Sequence, residues 1–363
     1  MSVALARASA FCGACVALTL TLAPQALRAQ SAPAATMALQ RLTVLDAKKI
    51  ASVARGDAVS ITLDTPEKTE IAMLGVVRVD VPRAFYLDRV RQLTGFLSSG
   101  SKSLSGIFSE PASLEDVATL ALDPSDAKTL EKCRPLSCDM KLSASEMEKF
   151  RTTLAKSRAP APLADSLMRE WLVAYVNAYR ADSSEETVVY DDTKRPVKSS
   201  DAFRALLAEP AVAGMNGEPF AAMLSSPRSA RPSDMASRIS WEINRVPGLK
   251  PTLEVVERSM YSPAAHPGES FLTGKMLYAS HYFESQLDFL TVTDAPAATG
   301  KSAMYLVVLR RSKFDDLPSG GLFNIRGKAV KKLRDALRTT LAATRAELEQ
   351  AYGEQTAVPP NAP

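Results

Sequence analysis

Histidine is nearly missing from this chain: its 363 residues hold two, His266 and His281. With so few, no histidine pair stands beside other ligands to complete a zinc site. No His-Glu-x-x-His, calcium-loop or dinucleotide fingerprint occurs either. Cysteine is scarce as well, at four residues. Charge of one sign is not in excess, with 44 Lys+Arg against 40 acidic residues, so the chain has no general pull toward nucleic acid. After the N-terminal segment there is no second apolar run of membrane length, and no internal repeat.

Hydrophobic residues make up 46% and charged residues 23%. A chain of this size and composition buries a core without metals or many disulfides, as one large domain or two modest ones. Residues 1–29 read as a secretory signal peptide, with Arg7 before an apolar run from Phe11 to Leu22 and a cleavage point at Ala29. The alternative is an uncleaved anchor, for which the run is short. Cys12 and Cys15 leave with this segment, and neither has a Leu three residues upstream, which argues against a lipoprotein signal. Loss of Arg7 and Arg28 lowers the net charge from +4 by two. The expected location is periplasmic or secreted. There, Cys133 and Cys138 read as a local disulfide, since a redox pair prefers closer spacing.

Residues 30–56 are expected to form a flexible leader and a short helix, Ala47 to Ala54. Val59, Ile61 and Leu63 alternate with polar residues and predict a strand, paired through a turn at Pro66 with a second from Glu70 to Val81. Pro82 then opens a helix carrying Phe85, Tyr86 and Val90. Leu97 to Ser109 reads as a loop. Helices are expected behind Ser113, behind Ser125, behind the Ser143/Glu146 capping box, and along a stripe of Leu163, Met168, Trp171, Leu172, Tyr175 and Tyr179. Asp182 to Ser200 reads as a surface loop, and shorter helices are expected at Ala202–Leu207, Pro219–Leu224 and Asp234–Arg245.

From Pro251 the period becomes two. Strands are expected from Leu253 to Met260, from Phe271 to Phe283 with a bulge at Gly274, from Leu287 to Thr293, and from Met304 to Arg311. Their short connections favour antiparallel neighbours. Val330, Leu333, Leu337, Leu341, Thr344, Leu348 and Tyr352 then mark one face of a long closing helix, whose basic remainder fits a solvated surface or, alternatively, anionic lipid. The tail after Gly353 reads as disordered.

The run Gly75-Val-Val-Arg-Val-Asp-Val-Pro-Arg-Ala-Phe85, a strand turning at once into a helix, and the helix from Lys328 to Leu348 behind the last strand resemble the START-like helix-grip superfamily (SRPBCC) over about half the chain. The resemblance implies an α+β fold in which a curved antiparallel sheet grips a long C-terminal helix. It implies an apolar cavity between them that takes an apolar or amphipathic, lipid-like small molecule; it does not by itself imply catalysis, and no cofactor is expected. On that reading the domain comprises residues 57–111 and 251–352, with a large all-helical insertion at 112–250 and a disordered tail at 353–363. Tyr278, His281, Tyr282 and Phe289 are the candidates to line the cavity. The size of the insertion suggests a second reading, an envelope protein-protein interaction module. A third, a hydrolase built from Ser270, His281 and Asp288, lacks the second glycine of a nucleophile elbow and the strand-to-helix turn that such a serine needs. Thr299-Gly-Lys-Ser302 imitates the end of a phosphate loop between two strands, and Ser99 with Lys102 matches Ser-x-x-Lys without its partner motifs.

Overall fold

The computed structural model describes residues 44–92, 94–97, 104–181, 188–208, 224, 231–245, 249–264, 266–296, 302–316 and 325–357. The signal-peptide segment, the first part of the leader, most of Pro219–Leu224, Ser99 with Lys102 and Thr299 to Lys301 lie outside them. In chain order the elements are α1 (Ala47–Ala54), β1 (Val59–Leu63), β2 (Glu70–Val79), α2 (Arg83–Val90), β3 (Leu104–Ile107), a 3-10 turn (Leu114–Val117), α3 (Pro124–Leu130), α4 (Ala144–Leu154), α5 (Pro160–Ala181), β4 (Val189–Tyr190), β5 (Val197–Lys198), α6 (Ser199–Leu207), β6 (Ala236–Asn244), β7 (Thr252–Tyr261), β8 (Glu269–Ala279), β9 (Phe283–Ala295), β10 (Ala303–Phe314) and α7 (Ile325–Ala357).

The protein is α+β. Eight strands form one antiparallel sheet in the order β1-β2-β10-β9-β8-β7-β6-β3, and β4 pairs with β5 apart from it. The hairpin read from the N-terminal alternation is present, with Val59 opposite Val76. Strand alternation sends side chains to two faces, and helices cover both. On one face Ile71, Met73, Val77 and Val79 of β2 join Leu306 and Val308 of β10 beneath α2 and α7. On the other, Leu74 and Val76 of β2 and Phe289 of β9 pack with Val53 of α1 and with Phe203 and Leu206 of α6. Farther along that second face, Ile239, Trp241, Val255 and Tyr278 pack with Phe150 of α4 and with Met168 and Trp171 of α5.

α7 carries its expected stripe inward. Leu337, Leu341, Thr344 and Leu348 are buried, and Val330, Leu333 and Tyr352 pack at the margin of the same cluster. The helix lies directly on Gly75 of β2, where a Cβ would come within 2.6 Å of Leu341 Cδ1 and 3.0 Å of Leu337 Cδ2. Glycine fits there because the buried side chains of Leu341 and Leu337 occupy the space a Cβ would need. Polar ties run along the same seam. Ser60 Oγ donates to the Arg334 carbonyl at 2.8 Å, and Asp80 N–H donates to Glu349 Oε1 at 2.9 Å. Arg326 donates to the backbone carbonyls of Lys68 and Glu70 at 2.9 and 3.0 Å.

Several expectations fail for identifiable reasons. Asp234–Arg245, read as a helix within an all-helical 112–250 stretch, holds β6, a strand of the main sheet. Ile239, Trp241 and Ile243 point into the core while Ser240 and Glu242 alternate with them, a period of two that the helical surroundings obscure. β3 lies inside the expected loop at Leu97–Ser109, and the β4–β5 hairpin lies inside Asp182–Ser200. The irregularity of β8 is not at Gly274. It falls opposite Val255 and Val256, which pair with Tyr278 and Met276 and leave Leu277 as the extra residue. The cap of α3 is Asp123 rather than Ser125, with Pro124 in the first turn. α7 runs on to Ala357, past the expected start of the tail.

Candidate functional site

The sheet face that carries α7 is divided by chemistry. Under α2 and α7 it is apolar, but toward β6 and β7 it bears charge. α7 packs on β1 and β2 and α2 on β9, and among the described residues neither packs substantially over β6 or β7. Strand register brings Arg258 of β7 opposite Gly274 of β8, Gly274 opposite Asp288 of β9, and Asp288 opposite Arg310 of β10, one continuous row across four strands. Arg310 grips Asp288 with two bonds, Nε to Oδ1 at 2.6 Å and Nη2 to Oδ2 at 2.7 Å. Such forked pairs are stronger and more directional than single contacts. Arg258 donates to Ser240 Oγ and, through Nη2, to Glu242 Oε1 at 3.1 Å.

Glu254 lies opposite Glu242 in the same register and is 5% exposed. Burial, with the neighbouring Glu242 carboxylate adding to it, pushes its pKa up to about 7 against the pull of Arg310 and Arg258. Two carboxyls side by side in a desolvated place cannot both ionise cheaply. The row therefore sets two anchored guanidinium groups about a central glycine with no side chain, and Glu254, four residues along β7 from Arg258, adds a carboxyl that titrates near neutrality. It can hold a polar group by charge-assisted bonds and exchange a proton with it. Val256 and Met276, opposed in the next row, supply apolar floor beside it.

The residues singled out from sequence lie elsewhere. Tyr278 is fully buried against α5 on the opposite sheet face, its ring 4.8 Å from that of Trp171 and edge-on to it. Phe289 is on that opposite face too, in a different cluster, 6.0 Å from the Phe271 ring. His281 and Tyr282 form the turn between β8 and β9, with ring centroids 5.7 Å apart. Tyr282 adopts φ 65°, and its hydroxyl accepts from Lys250 N–H at 2.8 Å. The structure thus brings His281 and Tyr282 together and places none of the four between the sheet and α7.

His281 does find a partner. Its Nε2 is 3.0 Å from Asp126 Oδ2 of α3, and both side chains are buried. Lys250 Nζ is 3.5 Å from the other oxygen of Asp126 and also pairs with Asp139. Nothing local in the sequence announces this group, because its members come from three distant segments. Ser270, the serine read together with His281 from the sequence, does not join this group. Ser270 stands at the start of β8 and His281 beyond its end, roughly 35 Å apart at the rise of an extended strand. Ser270 Oγ is held by Arg83 Nη1 at 2.6 Å and by Ser262 Oγ at 2.8 Å, and Asp288 is engaged by Arg310.

Cys133 and Cys138 are bonded to each other. They border a shallow pocket of about 260 Å³ with Lys128, Lys132, Ser137 and Asp139, a polar and open place unsuited to an apolar guest. Among the described residues no cluster of three or more His, Cys, Asp or Glu side chains could hold a metal ion. Among the same residues, no helix is long and apolar enough to cross a membrane. No protein-family model and no curated protein matches the chain.

Proposed function

We propose that this is an exported, non-catalytic binding protein for an amphipathic small molecule. Its site is the part of the α7-bearing sheet face where the charged row meets the apolar half, in the manner of a helix-grip fold with helices added on the far side. The observation that carries the reading is the charged row itself. Arg258, Asp288, Arg310 and Glu254 occupy a sheet face whose other half is a continuous apolar bed, including Leu272, Leu290, Val292 and Leu306. A polar head is met by the guanidinium and carboxyl groups, and an apolar body gains about 25 cal/mol per Å² of surface removed from water before binding costs are subtracted. The seam over Gly75 is closed by Leu337 and Leu341, so the guest belongs toward β6–β9, away from that crossing. Export is supported by the Cys133–Cys138 bond, which persists in oxidising compartments.

The test is native mass spectrometry of the protein purified from the cell envelope, together with titration by a fluorescent fatty acid. A co-purifying lipid-like mass and saturable uptake, both weakened in Arg258→Ala, are expected. Repeated absence of any such mass with no uptake would end the reading. A full-strength signal in Arg258→Ala would move the site elsewhere.

A further inference from the structure

The opposite face of the sheet holds a second group of buried charges that the proposed binding role leaves unused. Lys275 of β8 is 7% exposed and sits across the strand pair from Glu257 of β7. Its Nζ is 4.8 Å from the Phe203 ring centroid and 5.3 Å from that of Tyr179. Glu257 would be its natural counter-ion, yet both of its oxygens are already engaged. Tyr179 Oη donates at 2.7 Å, Arg231 Nη1 at 2.8 Å and Ser237 Oγ at 2.9 Å. Among the described residues, no carboxylate lies within ion-pair distance of Lys275, and its contacts are the two aromatic faces. Burial pushes its pKa down to about 8, with Arg231 and Arg204 adding to the shift against the pull of Glu257. Glu257 goes the other way: burial would raise it, but Arg231 holds it down at about 2.

Two more buried donors belong to this group of residues. Among the described residues, Thr273 Oγ1, two residues along the same face of β8, has no hydrogen-bond partner, and neither does Arg231 Nε. Among the described residues, Lys275 and Arg231 together face one committed carboxylate, one negative charge for two positive ones. A trapped water would satisfy the donors but not the charge. A phosphate would bring nearly two charges and more acceptor oxygens than these donors serve. A carboxylate matches in charge, in its two acceptor oxygens, and in leaving an organic body against the rings of Phe203 and Tyr179.

We propose that Lys275, with Thr273 and Arg231, is the anchor for the carboxylate of a small organic acid, in a site between β8 and the helices α5 and α6. The site is separate from the charged row under α7 and does not depend on it. The acid's carboxylate accepts from the Lys275 ammonium and the Thr273 hydroxyl, and its apolar body lies along the Phe203 ring. Bound anion also favours the protonated lysine, so binding takes up protons when the free amine is part-titrated.

The experiment uses the full chain and titration calorimetry with acetate, butyrate and benzoate, run at pH 8 in buffers of differing ionisation enthalpy, with inorganic phosphate as a parallel arm. At least one acid is expected to bind, with uptake of about half a proton per site, and benzoate is expected to exceed acetate because of the aromatic wall. Lys275→Met is expected to weaken that acid by at least roughly tenfold and to abolish the proton uptake, without lowering the melting temperature of the unliganded protein. Should Met at this position fail to fold, Thr273→Val takes its place and is expected to weaken the acid severalfold. The proposal is overturned if none of the three acids binds at millimolar concentration, if phosphate binds more tightly than all of them, or if binding survives both substitutions unchanged.

Discussion

Glu254 offers a quantitative check on the charged row, because its environment fixes both the sign and the size of an effect. Its pKa stands at about 7 against an ordinary 4.5. At about 1.36 kcal/mol per unit, that difference amounts to about 3 kcal/mol between the ionised and neutral forms. The folded state therefore holds this proton when the unfolded chain has released it. Below about pH 4.5 both states are protonated and there is no penalty; from there stability falls as pH rises, and above about pH 7 the whole penalty is present. Glu254→Gln keeps the shape and removes the titration. Relative to the parent, the variant should be nearly equal in stability at pH 4.5 and more stable by up to about 3 kcal/mol at pH 8. Urea unfolding followed by fluorescence of the two tryptophans, Trp171 and Trp241, both buried, gives the difference at each pH. Taking variant against parent cancels the other titrating groups, including Asp192 and Glu284, whose pKa values burial also raises. A difference that is flat across pH, or that grows toward acid, would refute the account of Glu254 as a desolvated carboxyl beside a second one.

Three further outcomes follow from the packing and the ties. Leu341→Ala removes a fully buried side chain from the α7 seam and should cost about 2–5 kcal/mol in urea unfolding. Replacing both Cys133 and Cys138 by Ser should cost no more than roughly 2 kcal/mol, since the loop they close is short; a melting curve under oxidising conditions against one under reducing conditions checks it on the parent protein. Asp126→Asn leaves His281 without its carboxylate and should cost about 1–3 kcal/mol, read as a shift of the urea midpoint at unchanged slope.

Features with strong internal period were readable from sequence. The stripe from Val330 to Tyr352 needs no outside information to define a helix face, and the β1–β2 hairpin is set by its own alternation and its turn. β6 was less readable, because Ala236 to Asn244 is short and a nine-residue strand among helices carries little periodic signal. The charged row was hidden for another reason. Arg258, Gly274, Asp288 and Arg310 become neighbours only through cross-strand register, and burial of Glu254 follows from its place in the sheet, not from its flanking residues. The same holds for Asp126 and His281, which approach across a sequence separation of 155. Tyr278 and Phe289 were correctly expected on strands, but a one-residue bulge near Tyr278 and the parity of β9 decide which face each takes, and parity cannot be counted without the partner strand.

The strand order also governs when this protein is able to fold. β2 lies between β1 and β10, so one long flank of an early strand is completed only by a segment made near the end of synthesis, with Glu70 meeting Lys313. Until that segment arrives the N-terminal hairpin shows an unpaired, apolar border, the kind that invites association with other chains. Pairing at such separation is slow to nucleate. A chain cut short before Ala303 would lose both the partner of β2 and the helix that seats on it, and would be left with sticky ribbons in place of a smaller working protein.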